Sequence, residues 1–418
     1  MTATRYRWWI LALLFFATTV NYLDRILLGF LYPVIRQEMH ITSEQYGYIQ
    51  ACFSAAYTVG FLIMGKFIDK AGTRIGYLVS LVWWSAAAAL HATASSVFAF
   101  GFWRAVLGLG EAGNFPAAIK SVTEWFPKQD RALATGIFNA GTNVASMIGP
   151  YAFVWITQMW GWRMCFLLTA SLGIVWVALW LATYGRPETH PRVNDAERAY
   201  ILDEAEAEAA REPSVGWGKA LTYRETWGFA LAKFVTDPVW WFYLYWLPAY
   251  LFDVRKFKMV EIAWALPFIY LMADVGSIGG GWISGALIRR GWPTAKARKA
   301  AMGLCAVCMP VSALSVLAES PILAILLVSL ATSAHQGWSA NLYTTTSDIF
   351  PKAATASVTG IGGCLGGLGG VIFSSLLPGY VVTNFGYTPI FLIMGSFHLI
   401  GWLIVHFMLG DMKRLRQS

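Results

Sequence analysis

Charged side chains interrupt a long apolar run near the start of the chain, in NYLDRILLGF at residues 21–30. Asp24 and Arg25 are adjacent and would lie about 100° apart on a helix, whereas Asn21 and Arg25, four positions apart, would share a face. A charged side chain at mid-bilayer costs at least about 2.5–3.5 kcal/mol, and such residues mark ion or substrate pathways. The pattern therefore predicts a polar site inside a membrane.

A second pair of charges lies in FWRAVLGLGEAGNFPAA at residues 102–118. Arg104 and Glu111 are seven positions apart, which on a helix is two turns, about 10.5 Å, and nearly the same face. Gly108 and Gly110 would let a neighbouring helix or a ligand come close. Two interpretations stay open: these groups bind an anion and protons, or they form structural salt bridges that lock two helices together.

The elements that must position these residues are membrane-spanning helices. Of 418 residues, 57% are hydrophobic and 13% are charged, against about 25% charged in an average soluble domain. A helical crossing needs roughly 20 apolar residues. We predict an all-α membrane protein with twelve such segments, near 8–33, 46–68, 74–96, 98–119, 133–158, 164–184, 227–252, 260–288, 300–318, 321–346, 355–382 and 387–409.

The net charge of +8 reflects topology rather than a nucleic-acid partner. Most of the 31 Lys and Arg fall in alternate loops, and the positive-inside rule then predicts that both termini are cytoplasmic. The start leads directly into the first span, which we interpret as an uncleaved helix. No nucleophile–base spacing and no metal-ligand cluster is evident, so the sequence favours neither an enzyme nor a metal protein.

An internal repeat divides the chain. WFPKQDRALATGI at 125–137 resembles IFPKAATASVTGI at 349–361, and GWRMCF at 161–166 resembles GYTPIF at 386–391. We predict two pseudo-symmetric six-helix bundles, 1–185 and 227–418, joined by a cytoplasmic loop, 186–226, with a short charged surface helix near 203–211. Duplicated halves are typical of transporters whose site lies between the halves near the midplane.

The loop after the second predicted span, GKFIDKAGTRIG at 65–76, resembles the signature loop of the major facilitator superfamily. The matching residues are Gly65, Asp69, Lys70, Gly72 and Arg74. In this interpretation Asp69 pairs with bases or a helix N-terminus of the other half and acts in gating. The second-half copy, GGWISGALIRRG at 280–291, has Gly285 where an acid is expected. Glu124 and Asp348, each two residues before FPK, are predicted to pair with Arg or Lys of these loops.

NYLDR together with the R-(x)6-E pattern resembles the anion:cation symporter family of that superfamily. The resemblance implies that Asp24 and Glu111 are proton-coupling carboxylates and that Arg25 and Arg104 bind the substrate carboxylate. It also implies that Tyr22 and Tyr57 line the pocket, and Asn21 joins them as a candidate substrate-binding residue on the Arg25 face. Substrate binding at an arginine would remove a partner from the acid, so that anion and proton favour each other.

KFVTDPVWWFYLYWLPAYL at 233–251, ADVGSIGGGW at 273–282 and SAHQGWSANLYTTTSDIFP at 333–351 resemble the hexuronate transporter branch of the family. The candidate residues for recognising sugar hydroxyls and the ring face are His335, Gln336, Asn341 and Tyr343. Lys233 and Asp237 have i, i+4 spacing and are predicted to pair with each other. Asp274 is left with two alternatives, a pairing with Lys233 or a ligand contact.

Together these features predict a monomeric, proton-coupled symporter of the bacterial inner membrane that imports a sugar-acid anion, most simply a hexuronate. Protons are the coupling ion, and no cofactor is expected. The alternatives are a symporter of another organic anion (an aldonate, aldarate or aromatic acid), a drug–proton antiporter, and a membrane sensor that binds without transport. Two pocket arginines argue against the antiporter, and the short tails argue against the sensor.

Overall fold

The computed structural model describes residues 4–201, 217–350 and 352–412, and its regular structure there is entirely helical. The charged surface helix predicted near 203–211 lies outside the described residues. Within them the chain forms two compact units. Unit 1 comprises Met1–Met39 and Cys52–Glu212, and unit 2 comprises His40–Ala51 and Pro213–Ser418.

The first half of the chain contains nine α-helices among its described residues. They are α1 (Tyr6–Met39), α2 (Ser43–Ala71), α3 (Thr73–Leu90), α4 (Val97–Glu111), α5 (Asn114–Trp125), α6 (Lys128–Asn139), α7 (Gly141–Trp160), α8 (Trp162–Thr183) and the short α9 (Asp195–Ile201). In unit 1, α1 packs against α7 and α8, and α3 packs against α4 and α8. This places α1, which carries NYLDR, among the other helices of its unit.

The second half begins, among the described residues, with a short helix and continues with long apolar ones. They are α10 (Trp217–Ala220), α11 (Arg224–Asp253), α12 (Met259–Arg289), α13 (Thr294–Cys308), α14 (Val311–Leu317), α15 (Pro321–Ile349), α16 (Lys352–Gly369), α17 (Leu377–Phe385) and α18 (Tyr387–Met408). The principal packing pairs of unit 2 are α12 with α15 and α11 with α16 and α18.

All twelve predicted spans coincide with helical segments. Eight helical segments among the described residues are long and apolar enough to cross a membrane, counting α13 with α14 and α16 with α17 as one segment each; with the bent α2 there are nine. The three remaining predictions correspond to α4 with α5, to α6 with α7, and to α11. The first two are interrupted near Ala112 and Ala140, and α11 carries Lys233 and Asp237, which lower its hydropathy.

The repeat seen in the sequence recurs in the backbone. Gly161 separates α7 from α8 with φ 85°, and Gly386 separates α17 from α18 with φ 76°. Both angles lie in the left-handed region that side chains disfavour, so glycine ends one helix and starts the next without strain. The two turns stand in equivalent places of the two halves.

The first residues of the linker after α8 pack against the start of α1. Glu197, a buried residue of α9, accepts hydrogen bonds from the Thr4 hydroxyl at 2.7 Å and from the Tyr6 backbone N–H at 3.0 Å. Arg7 adds an ion pair to the same carboxylate at 3.0 Å. The entry to α1 is therefore fixed by α9 within unit 1.

A stretch of π-helix, Gly370–Leu376, connects α16 to α17. Just beyond it, Gly379 meets Gly47 at the start of α2, and a Cβ on Gly379 would lie 3.1 Å from the Gly47 Cα. The nearby Tyr46 hydroxyl donates to the Tyr245 carbonyl at 2.8 Å. These contacts are internal to unit 2 and explain why 40–51 belong to it.

Candidate functional site

A buried ion pair joins α1 to α4. Arg25 Nε donates to Glu111 Oε2 at 2.9 Å, and the side chains are 4% and 0% exposed. The residues are 86 positions apart, so the pair is a tertiary contact between the two helices that the sequence singled out. Asn21 shares the Arg25 face as predicted, because Arg25 Nη2 lies 3.5 Å from the Asn21 Oδ1.

Aromatic rings surround the guanidinium of Arg25. Its Cζ lies 4.4 Å from the ring centroid of Tyr57, 4.8 Å from that of Tyr22 and 5.4 Å from that of Phe53. Cations over aromatic faces at such distances are stabilised by about 0.5–2 kcal/mol. The rings therefore help to hold the guanidinium in place.

Arg104 lies against the same aromatic ring as Arg25. Its Cζ is 4.4 Å from the Phe53 centroid, and its Nη2 donates to the Arg25 carbonyl at 3.4 Å. Arg104 is fully buried. Two guanidinium groups thus converge on Phe53 from α1 and α4.

Glycine makes this convergence possible. A Cβ on Gly108 would lie 2.6 Å from the Phe53 carbonyl oxygen and 3.1 Å from the Tyr57 backbone nitrogen. The close approach predicted for this glycine is therefore confirmed, and its neighbour is α2. The missing side chain lets α4 come close enough for Arg104 to contact Phe53.

Asp24 is 1% exposed, and Glu111 and Arg104 are its charged neighbours. Among the described residues, neither of its carboxylate oxygens accepts a hydrogen bond of normal geometry, although the Thr169 hydroxyl is a neighbour. Glu111 Oε1 also has no hydrogen-bond partner among them. Because an unpaired buried charge is costly, Asp24 is suited to hold a proton, whereas Glu111 is paired with Arg25 through its Oε2.

The signature loop forms a tight turn between α2 and α3. Gly72 has φ 78°, and a Cβ on Gly76 would lie 2.8 Å from Ile68 Cγ1. Asp69 accepts from Lys120 Nζ of α5 at 2.9 Å, within unit 1. Arg74 donates to the Leu181 carbonyl at 3.1 Å, so it fastens α3 to α8. The gating role of the loop, which includes Gly65 and Lys70, stays a prediction.

In unit 2 the predicted pairing of Lys233 with Asp237 is confirmed. Lys233 Nζ lies 2.6 Å from Asp237 Oδ2, and it donates to the Tyr343 hydroxyl at 2.8 Å. Tyr343 is thus brought beside a cation, whereas the sequence singled it out for packing on a sugar ring. The three side chains come from α11 and α15.

The other candidates on α15 lie in different environments. His335 Nδ1 is 3.1 Å from His398 Nε2, and its ring stacks on Trp240 with centroids 5.7 Å apart. Asn341 is buried, and its Nδ2 donates at 2.9 Å to the carbonyls of Gly280 and Gly337, so it ties α12 to α15. Gln336 is half-buried. Their roles in hydroxyl recognition stay predictions.

The acids before the FPK repeats have different partners in the two units. Asp348 accepts from Arg298 Nε at 3.1 Å, and Arg298 follows the second-half loop. Glu124 accepts hydrogen bonds from the Thr73 and Tyr184 hydroxyls, so here a hydroxyl of the loop replaces the basic partner that the sequence suggested.

Sequence reasoning missed several residues that complete these clusters. Phe53 contacts both arginines, Thr169 neighbours Asp24, and Trp240 and His398 enclose His335. The available signal was an aromatic residue four positions before Tyr57. On a helix this spacing places Phe53 on the Tyr57 face.

The chain resembles known membrane transporters over most of its length. The sequence profile of the Major Facilitator Superfamily matches residues 14–374. The chain is 34% identical to a hexuronate transporter of Escherichia coli (strain K12) over 403 residues, which are 96% of this chain and 93% of that protein. It is 34% identical to a galacturonate transporter of Dickeya chrysanthemi over 66% of this chain and 81% of that one.

A more distant relative and one solved structure extend the comparison. The chain is 28% identical to a D-galactonate transporter of Escherichia coli O6:H1 over 98% of its length and 97% of that protein. A bacterial homologue of the human lysosomal transporter Spinster, in an inward-facing and occupied conformation, matches with a TM-score of 0.78, 17% identity and full coverage of both chains. At this identity the structural match shows the fold alone.

Proposed function

Because the chain belongs to the Major Facilitator Superfamily, and is therefore a membrane transporter rather than an enzyme, we propose that it is a proton-coupled symporter. It imports a sugar-acid anion, a hexuronate in the first instance, by alternating access. The relatives named above supply the substrate class, and the charged cluster of unit 1 supports the mechanism. The proposed mechanism uses protons as the coupling ion and no cofactor.

The observation that carries the proposal is the buried contact between Arg25 and Glu111 at 2.9 Å. A guanidinium presents a rigid fork of donors that matches a carboxylate, and it stays charged in a low-dielectric site. In the ion pair, Glu111 occupies donors that a substrate carboxylate would need. Anion binding at Arg25 therefore requires that Glu111 gives up this partner.

Proton coupling follows from that exchange. When a sugar acid takes the Arg25 donors, Glu111 is left buried without its counter-ion, and it takes up a proton more readily. A proton that arrives first releases Arg25 in the same way, so each ligand favours the binding of the other. Asp24, buried and without a hydrogen bond of normal geometry among the described residues, supplies a second carboxylate for the proton pathway.

Arg104 is a second anion-binding donor in this mechanism. Its guanidinium lies over the Phe53 ring, as that of Arg25 does, and donates to the Arg25 carbonyl. Tyr22, Asn21 and Tyr57 border Arg25 and complete the pocket wall. We place the protein in the bacterial inner membrane with both termini in the cytoplasm, and we expect a monomer to be the working unit.

The test is uptake of labelled glucuronate into proteoliposomes that contain the full-length chain, with and without an inward proton gradient. We expect accumulation above equilibrium only with the gradient, and competition by galacturonate. Binding without accumulation would favour a sensor, and uptake that ignores the gradient would refute the coupling. Absence of both binding and uptake for every sugar acid would refute the substrate class.

An aldonate is the second candidate substrate, because the D-galactonate transporter is 28% identical over nearly the whole chain. Aldonates and hexuronates share the carboxylate and hydroxyls and differ in having an open chain or a ring. Competition by galactonate against labelled glucuronate in the same vesicles decides between them. The stronger competitor identifies the physiological class.

A further inference from the structure

Unit 2 contains a second charged cluster that the mechanism above does not use. It consists of the ion pair between Lys233 and Asp237, one helical turn apart on α11, and of Tyr343 on α15. The Lys233 ammonium also lies 4.2 Å from the Tyr343 ring centroid. Two of the three ammonium protons are therefore directed at oxygens of these neighbours.

Helix α16 is shaped to fit this cluster. Gly362 and Gly366, four positions apart, face it: a Cβ on Gly362 would lie 3.0 Å from Lys233 Cδ, and one on Gly366 would collide with the Asp237 carboxylate. The next residue, Gly363, has nothing within 4 Å of its Cβ position. The backbone of α16 thus forms one wall without contributing a charge.

Within this cluster the Lys233 side chain is buried, whereas its two partners are partly exposed. The Lys233 side chain is 2% exposed and that of Asp237 is 25% exposed, while Tyr343 is 46% exposed. A carboxylate that faced hydrocarbon would carry a large cost, so its open side is expected to meet water. A dissolved molecule can therefore approach the ion pair from the Asp237 and Tyr343 side.

We propose that Lys233 is a further anion-binding residue, which exchanges Asp237 for a carboxylate or hydroxyl oxygen of the transported sugar acid. The proposal rests on the proposed function. When no substrate is bound, Asp237 is the counter-ion of the Lys233 ammonium. Tyr343 is a neutral hydrogen-bond partner that stays in place after the exchange. A buried ion pair is weak evidence for stability, whereas an intramembrane charge with access to water marks a substrate path.

A double-mutant cycle separates this role from a purely structural pair. The variants are Lys233→Gln, Asp237→Asn and the two combined, each compared with wild type for glucuronate Kd by calorimetry and for Tm in detergent. We expect Lys233→Gln to raise Kd at least tenfold, whereas Asp237→Asn removes the group that competes for the ammonium and should lower Kd. The combined variant recovers Tm but not affinity. Recovery of both, or a Lys233→Gln protein with wild-type Kd, overturns the proposal.

Failure of this inference is distinguishable from failure of the proposed function. Arg25→Lys serves as the reference variant, because its effect depends on the cluster of unit 1 alone. If wild type binds glucuronate and Arg25→Lys weakens binding, but Lys233→Gln does not, the role of Lys233 is refuted and the proposed function stands. If wild type binds none of glucuronate, galacturonate and galactonate, the proposed function itself is refuted.

Discussion

The two charged clusters are built on different principles. In unit 1, Arg25 and Glu111 meet across two helices and are sealed by aromatic rings. In unit 2, Lys233 and Asp237 lie on one helix, and a glycine face of α16 makes room for them. The first arrangement couples the positions of α1 and α4 to the state of a carboxylate. The second can change its pairing without moving a helix.

This difference suggests a division of labour. A contact between helices is lost whenever the helices separate, so it is suited to coupling conformation with protonation. A local i, i+4 pair survives helix movement, and it is suited to a binding group that must be satisfied in every state. Variants that separate these roles test the comparison, and the largest effects are expected in unit 1.

Arg25→Gln should have the largest effect. Removing one partner of a buried ion pair typically costs about 3–5 kcal/mol, because the other charge is left uncompensated. We expect glucuronate uptake to fall at least a hundredfold and Tm to fall markedly. Adding Glu111→Gln should restore Tm but not uptake. Arg163→Gln, which removes a half-exposed pair with Glu38, is the control and should transport normally.

Glu111→Gln and Asp24→Asn should separate transport from coupling. Both side chains keep their shape but lose the ability to bind a proton, so gradient-driven accumulation should be lost. Exchange of labelled for unlabelled glucuronate across the vesicle membrane should persist at a substantial fraction of the wild-type rate. If either variant still accumulates substrate in response to the gradient, that carboxylate is not a coupling group.

Gly366→Ala should have an intermediate effect confined to unit 2. The new Cβ would collide with the Asp237 carboxylate, and overpacking of this kind costs about 1–3 kcal/mol. We expect a KM for glucuronate severalfold above wild type. Gly363→Ala, on the open side of the same helix, is the matched control and should leave KM unchanged. Equal KM values in the two variants would show that the ion pair does not contribute to substrate binding.

Asp69→Asn should have the smallest effect on stability. The Asp69 side chain is 76% exposed, and exposed ion pairs contribute at most about 1 kcal/mol. Tm should therefore stay near the wild-type value. A large loss of uptake at an unchanged Tm would show that the signature loop acts in gating. Unchanged uptake would show that Asp69 only forms a surface ion pair with Lys120.

Local features of both clusters could be predicted from the sequence. Helical periodicity placed Asn21 on the Arg25 face, and i, i+4 spacing predicted the pairing of Lys233 with Asp237. The twelve apolar runs all coincide with helical segments, because burial in a bilayer leaves few alternatives to a helix. Each of these inferences depends on neighbours within one or two turns of the same helix.

Tertiary partners could not be predicted in the same way. Nothing in the spacing shows that Arg25 meets Glu111, or that Phe53 contacts both arginines, because those contacts depend on how closely α2 and α4 approach. Asn341 illustrates the same limit. It has the chemistry of a sugar ligand, yet both of its amide protons are directed at backbone carbonyls. The distribution of side chains between packing and binding is decided by the fold.

The stretch of π-helix at Gly370–Leu376 has a consequence for how this chain tolerates change. A wider coil changes the rotation of the helix that follows it, and Gly379, which contacts Gly47, lies just after this coil. Deleting one residue there would preserve hydrophobicity and helicity, but it would rotate α17 and break the contact between Gly379 and Gly47. A length change at this point would be more harmful than most substitutions, and chain length between Gly369 and Leu377 is itself a structural constraint.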